Sequence, residues 1–570
     1  MDDDGGKLDL AQLRNLVRTY IDNHLYHTAL FWADKACSLS SNSQQDIIWL
    51  AQTMLLTGQY ERAAELLKKH GLVNCSPIAK YIVAKCYAER KEWDKVLDIL
   101  ENDQVDVSSC DEQGDISKFE GPICGRKIES AICLLKGMAY EGSGNSIIIK
   151  SFAADAFKEA LRLDVYCFEA FDFLTAHNMM TAQEELDLIE SLPFSTQCSK
   201  EEADFVRFLY ESKIKQYCKP VDPKLPNHLE ALNENLDVVT SHAVRHFNSC
   251  DFKMCYKLSS AVMTKDQFHE SCLPVHISCL VELKKKNELY HLASRLVNNY
   301  PKRAISWHAV GAYYLLTGRS EAARRYFGKA TGIDRVYAPA WLGFAHSYAN
   351  DGEHDQAISA YFTASELMPG SHLPYFYLGL EYITTNNIKL ARHFFREALK
   401  ISPDDPFVKH ELGCIDYQNG NYKSAKKYFE HALKRLEIIY GNVIPEEWEP
   451  LFSNLGHVCR KLGNYKISLH YHKTALNICP NNASTYSAIG LSHCYLGSYV
   501  NAISAFHKAL SIHRDDTISQ ELLVYALNNA AESQVTTIDS SDDEGLGEDT
   551  DRTAEKSTID MDESSMMEEA

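Results

Sequence analysis

Four segments, beginning at Ala304, Ala338, His372 and Pro406, start 34 residues apart each time. Position 4 of these segments holds Trp307, Trp341, Tyr375 and Lys409, and position 8 holds Gly311, Ala345, Gly379 and Gly413. Position 20 holds Ala323, Ala357, Ala391 and Ala425, position 24 holds Phe327, Tyr361, Phe395 and Phe429, and position 27 holds Ala330, Ala364, Ala398 and Ala432. A unit this short cannot bury its own apolar face. Copies at a fixed period must stack on one another and share a continuous core.

The period and the residue types are those of the tetratricopeptide repeat, two helices joined by a turn. Small residues at 8 and 20 let the first helix (A) and second helix (B) of a unit approach closely, and the small residue at 27 receives helix A of the next unit. Large residues at 4, 7, 11 and 24 fill the space between. Pro369 and Pro403 fall at position 32, where proline cannot continue helix B. Gly318, Gly352, Asn386 and Gly420 fall at the A–B turn. The register continues at Glu449, with Gly456 and Ala475, and at Ala483, with Gly490, Phe506 and Ala502. Nine residues are added between Pro406 and Glu449, which lengthens one helix B and its exit. Weaker units start at Leu10, Gln44, Pro77, Ser130, Asn235 and Glu270, the Ser130 unit stretched by about four residues.

The expectation is an all-α tetratricopeptide-repeat superhelix of about 12–14 helix-turn-helix units. It runs as an N-terminal array over 8–220, with a polar insertion at 101–128, and a C-terminal array over 235–516. A capping helix at 517–534 should close the array. Residues 535–570 hold thirteen Asp/Glu against two Lys/Arg, more than half of the net charge of −20. That composition predicts a disordered acidic tail, in which Ser540 and Ser541 precede "DDE", a context for acid-directed phosphorylation. No large basic face argues for nucleic acid, and no apolar run approaches the ~18–20 residues that span a membrane. The 17 cysteines are scattered and mostly sit in apolar helical patterns, which fits free thiols in cytosol or nucleus.

The stretch 446–480 carries His457, Cys459, His470, His472 and Cys479. A zinc site needs four ligands converging about 2 Å from one point. His457 and Cys459 are two apart on a helix, as are His470 and His472, and such pairs diverge around the axis. Packing is therefore the expectation, with no metal, no cofactor and no catalytic residue. His242 and His246 share a helix face but lack the glutamate of an HExxH site. No stretch outside the repeats is long enough for a catalytic domain, so the chain is not expected to be an enzyme.

Arrays of this kind bind. Positions 2, 5, 9, 12 and 13 of the A helices line a groove. Its candidate wall here is Phe376, Leu380 and Ile383; His410, Cys414 and Tyr417; Ser453, His457, Arg460 and Lys461 with neighbouring Asn454; and Ser487, Leu491 and Tyr495. Amides and imidazoles hydrogen-bond a peptide backbone, and apolar walls take its side chains.

The strings "GEHDQAISAYFTASELMPGSHLPYFYLGLEY", "PDDPFVKHELG", "EEWEPLFSNLGHVCRKLGNYKISLHYHKTAL" and "NASTYSAIG" resemble the tetratricopeptide cell-division-cycle subunits of the anaphase-promoting complex/cyclosome. The resemblance is specific over about 300–516 and looser over 8–300. It implies a scaffold subunit of a cell-cycle ubiquitin ligase, found in nucleus and cytoplasm. It also implies a homodimer through residues of about 8–200, contacts with other tetratricopeptide subunits, and the N-terminus of a small accessory subunit held in the groove of 372–516. The rival reading is a co-chaperone that grips chaperone C-terminal carboxylates with Lys and Asn. Arg460, Lys461 and Asn454 are a fragment of such a clamp, but the neighbouring units offer His410 and Ser487 instead.

Overall fold

The computed structural model describes residues 10–101, 125–144, 147–214, 232–441 and 444–539. Among them every long element is an α-helix and no strand occurs. Ser540 and Ser541 lie outside the described residues, as does the insertion expected over 101–128 except at its ends, where Glu101 closes one helix and Gly125–Ser143 begins the next.

The helices pair as the repeat pattern requires. Ala304–Leu316 packs on Ser320–Ile333, Pro406–Gln418 on Tyr422–Tyr440, and Ala483–Tyr495 on Tyr499–Ile512. The contact that sets each pair is the same. A Cβ placed on Gly311, Gly379, Gly413 or Gly490 would come within 2.5–2.7 Å of the ring of Phe327, Phe395, Phe429 or Phe506. The position-8 glycine and the position-24 ring therefore share one space. Gly137 meets Phe157 in the same way at 2.5 Å, which fixes the register of the stretched N-terminal unit. The alanines at 20 and 27 (Ala323, Ala330, Ala357, Ala364, Ala391, Ala398, Ala425, Ala432 and Ala502 with Ala509) are 0 % exposed. Any larger side chain there would force the helices apart.

The A–B turns share one backbone device. Gly420 and Gly463 hold φ of +78° and +82°, the left-handed conformation that ends a helix at small cost for glycine. Asn386 makes the same turn at φ 57°, and in the weaker units starting at Pro77 and Glu270 it is made by Lys91 and Lys284, at φ of 60° and 54°. The missing glycine explains why those two turns are faint in the sequence.

Tyr422–Tyr440 is 19 residues long, against 14 for Ile388–Ile401 and Tyr465–Ile478. Its extra turns run to Gly441, and a short 3-10 segment, Glu446–Trp448, leads into the next unit. The final helix, Thr517–Asp539, covers Leu491 and Phe506 with Leu522 and Ala526.

The chain forms two compact units: Met1–Lys215, Val221–Val244 and Tyr256–Pro374 make one, and Gln216–Pro220, Arg245–Cys255 and Tyr375–Ala570 the other. Within the first unit, residues far apart in sequence meet. The Gly370 N–H donates to the Asn178 carbonyl at 2.7 Å, and a Cβ on Gly370 would lie 1.9 Å from the Met180 carbonyl oxygen. Nearby, the buried Lys150 lies among the carboxylates of Glu141 and Glu366; burial lowers its pKa to about 8, and those carboxylates oppose the shift. Glu141 in turn holds His177 at 2.6 Å. Within the second unit the Tyr440 hydroxyl donates to the Cys250 carbonyl. No helix is long and apolar enough to cross a membrane among the described residues.

Candidate peptide-binding groove

The site lies wholly in the second unit, on the A helices Leu373–Thr384, Pro406–Gln418, Glu449–Lys461 and Ala483–Tyr495. Its centre starts from a strong helix signal. Asp405 caps Pro406–Gln418 by accepting from the Phe407 and Val408 N–H groups at 2.8 and 3.2 Å, with Pro406 at the first position. One turn on, His410, Glu411 and Cys414 emerge together. Glu411 Oε1 is 2.9 Å from His410 Nδ1, and the Cys414 sulfur is 3.9 Å from the ring. The Asn454 amide reaches across from the next unit, 3.1 Å from His410 Nε2 and 3.6 Å from Cys414 Sγ.

Burial works to lower the His410 pKa, but Cys414 and Glu411 outweigh it and hold the value up at about 10. The Asn454 Nδ2 group donates to the Cys414 sulfur and lies against His410 Nε2, so one amide ties the two side chains together. One side of this polar centre is apolar. Phe376, Leu380 and Ile383 are half-buried on the core of Phe395, Val408 and Ile415, and Phe376 lies 6.4 Å from Phe407. Tyr417 packs edge-on against Tyr422 at 5.4 Å.

The next helix differs. From Leu451 to Arg460 every residue is buried, including Ser453, Asn454, His457 and Arg460. His457 is 9 % exposed and sets its ring edge-on at 5.0 Å to His472. Burial, reinforced by Arg460 and Lys461, pushes His457 down to about 3, so it is neutral. Lys461 is exposed. With Arg460 buried and Lys461 at the rim, these residues form no open carboxylate clamp. In the last unit Ser487 and Leu491 are core, not wall: Ser487 bonds Ser519 and Leu491 packs on Leu522, because the final helix lies over them. Tyr495 is 42 % exposed and stacks on Tyr465 at 5.1 Å.

The five ligand-like residues of 446–480 do not converge. Cys459 and His472 are fully buried, His470 is exposed, and Cys479 ends its helix. His410, Glu411 and Cys414 are the one group of His, Cys and carboxylate donors among the described residues with ligand atoms within 4.8 Å of one another. Their hydrogen bonds to each other and to Asn454 already account for the cluster.

Two residues of the site had no clear signal in the sequence. Glu411 follows His410 directly, and only the helix geometry turns both toward the same space. Glu449, at the first position of its unit, is buried and accepts from Thr485 Oγ1 at 3.1 Å; burial raises its pKa.

Residues 22–103 match the family described as anaphase-promoting complex, cyclosome, subunit 3, and residues 304–337, 374–405 and 408–446 match tetratricopeptide repeats. The chain is 50% identical over 528 residues to the cell division cycle protein 16 homolog of Homo sapiens, covering 91% of this chain and 84% of that protein. The chain belongs to this family of anaphase-promoting complex subunits. The Arabidopsis thaliana anaphase-promoting complex subunit 6 is 36% identical over 546 residues, covering 92% of this chain and 98% of that one. The fold follows the family: a chain of the crystal structure of the hetero-tetramer Cut9-Hcn1 of the complex aligns with a TM-score of 0.75 at 31% identity, covering 91% of this chain and 97% of that chain. The tetratricopeptide array and its place among subunits of the anaphase-promoting complex are therefore established for this chain.

Proposed function

We propose that the chain is a non-catalytic scaffold of the complex, a cell-cycle ubiquitin ligase. It homodimerises through its N-terminal repeats, stacks on other tetratricopeptide subunits, and works in nucleus and cytoplasm. Its groove holds the N-terminal segment of a small accessory subunit. The observation that carries this reading is the likeness, over 91% of the chain, to a subunit solved as a hetero-tetramer of two components. The groove chemistry supports it. The half-buried His410 and Glu411 face the groove and offer polar partners to a peptide backbone, the buried Asn454 holds His410 in place, and Phe376, Leu380 and Ile383 offer an apolar wall.

The test is co-purification with the accessory subunit. His410→Ala combined with Asn454→Ala removes the polar centre and should weaken capture of that subunit by tenfold or more, while gel filtration still reports a dimer. Unchanged capture would remove the groove from the reading. A monomeric wild-type chain would remove the dimer.

A further inference from the structure

The B helices of the second unit carry a charge pattern that the groove does not use. Ile388–Ile401, Tyr422–Tyr440, Tyr465–Ile478 and Tyr499–Ile512 together hold twelve Lys/Arg against three Glu and no Asp. The chain as a whole is at −20. The A helices of the same unit are close to neutral. Over the first three of these helices cations fall at matching repeat positions, while Tyr499–Ile512 adds Lys508 alone. Lys423 and Lys466 share position 18, and Lys427 falls at position 22 beside His393 and His470 of the flanking units. Arg396 and Lys473 share position 25. All of these side chains are exposed. Lys400 pairs with Glu397 at 2.7 Å, but Arg396, Lys423, Lys427, Lys434, Lys466 and Lys473 carry no ion pair among the described residues.

The matching acid is in the same chain. Residues 540–570, which follow the final helix, contain twelve Asp/Glu and two Lys/Arg. Extended, these 31 residues reach about 100 Å, enough to pass over several neighbouring helices spaced ~8–10 Å apart. We infer that the basic face formed by Ile388–Ile401, Tyr422–Tyr440 and Tyr465–Ile478 is the docking surface of the chain's own acidic segment, residues 540–570. Single exposed ion pairs are weak, but tethering raises the effective concentration to the order of millimolar. Many weak pairs of one sign pattern then populate the contact. The contact would also shield the basic face from other polyanions. Phosphorylation of Ser540 or Ser541 adds negative charge at the root of the segment and tightens it.

Carbodiimide cross-linking of the full chain, which joins a carboxylate directly to an amine, tests this. Peptide mapping should place cross-links from 542–569 on Lys423, Lys427, Lys434, Lys466 and Lys473 at several times the frequency seen for exposed lysines elsewhere, such as Lys35. Amine labelling of these lysines should rise about threefold in a chain ending at Asp539. It should rise equally in the full chain at about 1 M salt, where the screening length is ~3 Å. The exposed-residue variant K427E/K434E/K473E should lose the cross-links without change in circular dichroism. Cross-links spread evenly over the lysines, or labelling indifferent to the tail and to salt, would overturn the inference. So would cross-links that join only differently isotope-labelled copies, or lysines shielded by added duplex DNA and not by the tail.

Discussion

Replacing His472 by Phe should stabilise the repeat that contains it. In neighbouring units position 24 is Phe327, Tyr361, Phe395, Phe429 or Phe506, all almost fully buried. Here the ring is an imidazole, 0 % exposed, and neither nitrogen has a hydrogen-bond partner among the described residues. Leaving a buried polar group unsatisfied costs about 1–3 kcal/mol. The space suits a phenyl ring. A Cβ on Gly456 would lie 2.4 Å from the His472 ring, against 2.6 Å for Gly413 with Phe429 and 2.6 Å for Gly490 with Phe506. Some overpacking against His457 offsets the gain, so the expected net is about 1–2 kcal/mol. Because repeat arrays open locally, the measurement is amide hydrogen exchange over Glu449–Lys461 and Tyr465–Ile478, which should slow by roughly 5–30-fold. Burial, with His457 and Arg460 nearby, holds His472 well below its ordinary pKa. The variant should therefore also lose about one proton's worth of acid sensitivity. Faster exchange, or an unchanged pH slope, would show that the imidazole makes an interaction that the packing argument omits.

Other outcomes follow from the same packing. Ala425→Leu, at 0 % exposure in a helix seam, should destabilise by about 1–3 kcal/mol and weaken accessory-subunit capture, read by co-purification. Gly370→Ala must displace the Met180 carbonyl 1.9 Å away; protease cleavage near the 177–181 turn should become faster, with the groove unaffected. Lys91→Gly relieves a left-handed residue at φ 60° and should stabilise its hairpin by about 1 kcal/mol, measured by the denaturant midpoint. Burial holds His276, His308 and His346 near 4, and His457 near 3. These folded values lie below the unfolded value of about 6.5. Stability should thus be full above pH ~6.5 and fall as pH drops toward those values, by about 1 kcal/mol per histidine at pH 5.5. A denaturant midpoint that is flat from pH 7 to 5 would contradict this.

The sequence by itself determined the local unit. Period, small residues at 8, 20 and 27, and rings at 24 are demands of helix–helix approach within and between neighbours. They leave a mark every 34 residues from Ala304 onward. They also weigh against a metal reading of 446–480, since residues two apart on a helix point to different sides of it. Where Lys91 and Lys284 replace the turn glycine, the same turn forms with little sequence trace, because the stacked helices on either side hold it. Tertiary structure alone decided which wall positions stay open. His410 and Cys414 remain half-buried and are met by the buried Asn454 of the next repeat, while Ser487 and Leu491, at equivalent positions, are sealed by the final helix. It also decided that Gly370 meets Asn178. A repeat pattern encodes contacts between neighbours. Burial of one wall position and contacts across some 190 residues depend on how small rotations between many units add up, and no single unit carries that sum.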